Sequence, residues 1–153
     1  MIKKLLYYFG LFLFSTLIAI LLIQIVFRYF FNVSVPWTEE MSRILFIHFC
    51  FLGTAIAIME KEMIIIDTIL AKISGKARYL IEIFIAVFTF IFILILFVGS
   101  LKMMISVWPT RFSTMDRVST GWLYAGPVYS SLIILLNEIF VVIKSFSIKA
   151  KLD

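Results

Sequence analysis

The chain has 153 residues, 63% of them hydrophobic and 15% charged, with a mean hydropathy of +1.13 and a formal net charge of +5. A soluble domain is about 45–50% apolar and about 25% charged, so this composition excludes an ordinary soluble domain and points to an all-α integral membrane protein. The basic excess lies in links and ends, which reads as membrane topology and not as nucleic-acid binding, and the single cysteine, Cys50, excludes an intrachain disulfide and any CxxC redox or zinc site.

Four transmembrane helices are predicted, at about 5–31, 36–59, 79–104 and 121–143, in one membrane domain covering residues 1–153. The first apolar run, Leu5 to Phe27, matches the roughly 20 residues that cross a bilayer. It exceeds the apolar core of about 7–15 residues in a secretory signal, so a retained span is expected. A short link follows, and Pro36 suits a helix start because its missing N–H would be unpaired there in any case. Glu39 and Glu40 then fall in the first turns, where acids face the positive end of the helix dipole. After the second run ends at Glu60-Lys-Glu62, Ile64, Ile65, Ile69 and Ile73 recur near helical spacing. That pattern predicts a short amphipathic helix in the membrane interface over about 63–73. The third run ends near Leu101, and the loop Ser106 to Ser119 leads to the fourth, which contains Pro127 and Glu138.

Lysine and arginine counts set the expected orientation. Lys3, Lys4, Lys61, Lys72, Lys76, Arg78, Lys144, Lys149 and Lys151 share one side, and Arg28, Arg43, Lys102, Arg111 and Arg117 the other. The positive-inside rule then puts both termini in the cytoplasm. Trp37, Trp108 and Trp122 all fall at the opposite boundary, as an aromatic belt would.

Charge beside hydrocarbon is costly unless it is paired or reaches water, which singles out Arg28, Glu39, Glu40 and Arg43. Glu39 and Arg43 are four apart in the favourable acid-first order. Three readings fit: ion pairs that fix the first hairpin, contact with a partner subunit, or handling of a substrate or proton. His48, about one turn beyond Arg43, is expected to hydrogen-bond a neighbouring helix, with a proton relay as the alternative. Gly53 and Ala57 form a small-xxx-small pair suited to close helix packing. Asp67 is either on a solvated face of the interfacial helix or in a cytoplasmic docking contact. Arg111, Asp116 and Arg117 sit either in a simple connection or in a loop that receives a soluble periplasmic partner. No HExxH, GxSxG or P-loop is present, and no metal site or cofactor is expected. No acid lies at the centre of any predicted span, unlike the usual proton- or cation-coupled carrier.

Arg28-Tyr-Phe-Phe-Asn32, then Trp37-Thr-Glu-Glu40 with Arg43, then Phe51-Leu-Gly-Thr-Ala55 resemble the signature of the small membrane subunit of tripartite ATP-independent periplasmic (TRAP) transporters, the DctQ type. Glu62-Met-Ile-Ile-Ile-Asp67 is similar to the family's segment after the second span, with Met63 where the family often has His. Ser119 to Pro127 resembles its approach to the last span. The resemblance implies a non-catalytic scaffold in a bacterial inner membrane, partnered by a large elevator-type subunit driven by sodium. It also implies a periplasmic substrate-binding protein that delivers a carboxylate such as an organic acid or sialic acid. A four-helix drug exporter would need an acid in the first span, and Leu5 to Phe27 has none. A membrane enzyme would need a nucleophile, metal set or cysteine pair. An assembly factor for another membrane complex is the remaining rival.

Overall fold

The computed structural model describes residues 2–60 and 76–149. Among them it is all-helical: α1 (Ile2–Phe30), α2 (Pro36–Glu60), α3 (Lys76–Ser106) and α4 (Trp122–Lys149). The expected interfacial helix over 63–73, with Asp67, lies outside the described residues.

Among the described residues three helices are long and apolar enough to cross a membrane: Lys3–Phe30, Pro36–Glu60 and Ile83–Ser106. The fourth expected span is occupied by α4, whose 28 residues reach roughly 42 Å at 1.5 Å per residue. Its composition falls short of the other three because it carries Gly126, Pro127, Ser130, Ser131, Asn137 and Glu138.

The helices pack in the order α1–α2–α4–α3, so α2 and α4 are inside and α1 and α3 flank them. The buried residues follow this order. On α2 they form the stripe Thr38, Ile44, His48, Leu52 and Ala55. On α4 they come as Gly126–Pro127, Ser130–Ser131 and Ile134–Leu135, each pair one helical turn after the last. Ala55, Ile134 and Leu135 meet Ile93 of α3 in one cluster, flanked by Ile58, Phe97 and Ile133. Leu13 and Leu17 are buried on α1, and Phe14 packs on Phe49 of α2 with ring centroids 5.1 Å apart.

The tightest approach between helices is at Gly126. A Cβ there would stand 2.9 Å from His48 Cδ2 and 3.2 Å from His48 Cα, so only glycine lets α4 come this close to α2. Among the described residues the expected pair Gly53 and Ala57 does not serve this purpose. A Cβ on Gly53 would meet nothing within 4 Å, and both residues line an apolar groove of about 430 Å³ between α1 and α2.

Candidate functional site at one end of the helix layer

The end of α1, the start of α2 and the α3–α4 loop lie together at one end of the layer. α1 stops because Asn32 adopts φ 51°, a left-handed conformation that asparagine tolerates better than most residues. Val33 N–H then returns to the Phe27 carbonyl at 3.1 Å. Pro36 opens α2 as its first residue. The fully buried Thr38 secures that start, its hydroxyl donating to the Val35 carbonyl at 2.6 Å.

These two local devices bring Glu39 and Glu40 out of the first turn with different partners. Glu39 Oε1 accepts from Gln24 Nε2 of α1 at 3.4 Å, a long contact that ties the first two helices. Glu40 Oε2 accepts from the backbone N–H of Thr114 at 3.2 Å and also from the Thr114 hydroxyl. Both partners are neutral, and neither is the arginine that ion pairing would call for. Arg28, in the last turn of α1, shares a cleft of about 230 Å³ with Gln24, Ser34, Val35 and Glu39. Arg43 is exposed beside Leu17, Leu21 and Phe46. Both arginines are exposed, and an exposed ion pair contributes only about 0–1 kcal/mol, so neutral partners compete well.

The loop between α3 and α4 is a folded unit. Arg111 and Ser119 form an isolated antiparallel bridge. Thr120 N–H donates to the Thr110 carbonyl at 2.9 Å and Phe112 N–H to the Val118 carbonyl at 3.2 Å. The Phe112 side chain is buried, and the buried Ser119 hydroxyl donates to the Trp108 carbonyl at 2.7 Å. Gly121 sits against this turn, since a Cβ there would fall 2.6 Å from Trp108 Cε3. Trp108 and Trp122 flank the base of the loop with centroids 6.3 Å apart. Arg111, Asp116 and Arg117 are all exposed on it. The segment is therefore more than a tether between helices, and Thr114 joins it to α2.

His48 lies away from this end, buried between α2 and α4. Its ring packs 5.7 Å from that of Tyr129, and its backbone carbonyl accepts from the Tyr129 hydroxyl at 3.2 Å. The interhelical hydrogen bond expected here thus runs through the main chain of His48, while its Nε2 has no partner among the described residues. Sequence reasoning passed over Gly126 and Ser130, although they show the same small-xxx-small spacing that drew attention to Gly53. Among the described residues no group of three or more His, Cys, Asp or Glu is placed to hold a metal ion.

Residues 17–146 match the family profile described as "Tripartite ATP-independent periplasmic transporters, DctQ component". A TRAP transporter small permease protein assigned in Haemophilus influenzae is 26% identical over 137 residues, covering 86% of this chain and 82% of that protein. The sialic acid TRAP transporter small permease protein SiaQ of Vibrio cholerae is 38% identical over 66 residues, 43% of this chain and 38% of that one. The sialic acid TRAP transporter permease protein SiaT of Haemophilus influenzae is 29% identical over 79 residues, which are 52% of this chain but 13% of that longer one. The profile spans both ends of the helix layer and the loop between α3 and α4, and the chain belongs to the DctQ family of TRAP transporter small permease subunits, a non-enzymatic transport component.

Proposed function

We propose that this chain is the scaffold subunit of a sodium-driven TRAP transporter, supporting a large elevator-type subunit in the uptake of a carboxylate such as an organic acid or sialic acid. All four helices, α4 included, cross the bacterial inner membrane, and both termini face the cytoplasm. Arg28, Glu39, Glu40, Arg43 and the α3–α4 loop then face the periplasm. There Arg111, Asp116 and Arg117 supply charges for a substrate-binding protein.

The observation that carries this reading is the match to part of SiaT, a much longer single permease chain. A segment carried within one permease polypeptide is held next to the rest of it, and a separate chain similar to that segment has the same natural neighbour. The packing order supports a supporting role. α1 and α3 present continuous apolar surface to lipid or a larger partner, with Phe88, Phe92 and Ile95 of α3 all more than half exposed. No acid stands at mid-span in α1, α2 or α3 among the described residues, and Glu138 lies in the second half of α4. Substrate or ion translocation thus belongs to the partner.

Affinity purification of the tagged chain from native membranes should bring down a large polytopic subunit, and Arg43→Ala should lower its recovery or the rate of uptake. Recovery of the chain alone, or proton-coupled efflux from liposomes holding only this chain, would overturn the scaffold reading.

A further inference from the structure

We propose that Glu40 is a positioning residue for the outer loop: by holding Thr114 it fixes the orientation in which Arg111, Asp116 and Arg117 meet the soluble substrate-binding protein. The inference rests on the reading that this protein docks on the loop.

The loop is closed on itself by the Arg111–Ser119 bridge and anchored at its base by Phe112 and Ser119. Its covalent links run only to α3 and α4. At its tip Glu40, 74 residues away in sequence, attaches it to α2, and the adjacent Glu39 reaches Gln24 of α1. The two neighbouring acids therefore serve different partners: Glu40 fastens the loop tip to α2, and Glu39 ties α2 to α1. Asp116 and Arg117 follow Thr114 by two and three residues, so their direction depends on where Thr114 is held. A loop ordered before encounter spares the partner the cost of ordering it, which raises affinity without any contact by the residue responsible.

The geometry also says what kind of group is required. Both Thr114 donors converge on one oxygen, Oε2. A glutamine carbonyl has two lone pairs and can accept both. If Glu40 acts by holding Thr114, glutamine replaces it; if it acts through its charge on the incoming protein, glutamine fails as alanine does.

The test uses the intact complex of small and large subunits in nanodiscs, with fluorescently labelled substrate-binding protein of the same transporter as the probe. Glu40→Ala should raise its Kd about tenfold, equivalent to ~1.4 kcal/mol, and should speed hydrogen exchange at the Thr114 amide. Glu40→Gln should stay within about twofold of the wild type, since the acceptor geometry is kept. Thr114→Val, which keeps the backbone N–H, should fall between them. Wild-type affinity in Glu40→Ala, or equal losses in the alanine and glutamine variants, would overturn the proposal. Should Glu40→Ala prevent assembly, Thr114→Val carries the test, and wild-type affinity there is equally fatal. The double variant Arg111→Ala/Arg117→Ala separates the underlying reading. If it binds as the wild type does, the loop is not the docking face; if it binds weakly while Glu40→Ala binds normally, only the positioning role falls.

Discussion

The inner helices α2 and α4 and the outer helices α1 and α3 invert the rule familiar from water. The outer pair is the more apolar, yet α3 has only Ile93 and Ser100 buried among its described residues. The inner pair carries the small and polar side chains and holds most of the buried positions, including Thr38, His48, Ser130 and Ser131. In lipid an apolar side chain gains little by turning inward, because acyl chains solvate it as well as another leucine would. What selects an inner face is close approach and local hydrogen bonding. Ser131 shows the second, its hydroxyl donating to the Pro127 carbonyl at 2.6 Å and so needing no water.

The largest expected effect comes from breaking that close approach. Gly126→Ala places a methyl 3.2 Å from the backbone Cα of His48, which cannot swing away as a side-chain tip would. Overpacking of this kind costs about 1–3 kcal/mol, and Gly126→Leu should cost more. Gly53→Ala makes the same chemical change on open space and should be neutral or slightly stabilising. Thermal unfolding of the two variants of the purified chain in detergent checks the contrast, and equal midpoints would dissolve the distinction between the two glycines.

A smaller effect should follow from Tyr129→Phe, which deletes the hydroxyl that reaches the His48 carbonyl at 3.2 Å and keeps the ring. Interhelical hydrogen bonds in membranes average about 0.6 kcal/mol. The same unfolding assay should therefore show a shift well below that of Gly126→Ala, and a larger one would mean that the hydroxyl, more than the glycine, sets the α2–α4 distance.

Helix positions were legible in the sequence because each rests on a one-dimensional signal. Runs of about 20 apolar residues marked α1, α2 and α3, and Pro36 marked the start of α2. Which residues meet across helices is a different kind of fact. Gly53–Ala57 and Gly126–Ser130 share one spacing, and nothing along the chain tells which glycine will lie under a His48 ring. Likewise Glu39 and Arg43 look paired by local spacing, whereas the partner of Glu40 comes from a loop 74 residues on. Thr114 is one of several hydroxyl residues in that loop, and only the fold of the loop selects it. Hydropathy separates α4 from the other three helices, because its inward stripe is small and polar for packing reasons.

The outer pair supplies the smallest effect and, with it, a map. Phe88, Phe92 and Ile95 touch little of this chain, being 65%, 58% and 66% exposed. Phe88→Leu or Phe92→Leu exchanges one apolar side chain for another against acyl chains, so the isolated chain should change by less than about 0.5 kcal/mol. The same substitutions need not be silent in the assembled transporter. Where a large subunit covers α1 or α3, the exchange alters packing between protein surfaces at the density of an interior, and co-purification should fall. Where lipid covers the helix, neither stability nor co-purification should move. A leucine scan along both outer helices, read by unfolding of the chain alone and by recovery of the complex, thus separates lipid-facing from partner-facing rows. Destabilisation of the isolated chain by Phe88→Leu would show instead that the Phe88 face of α3, and not only its Ile93 face, packs against the chain's own residues.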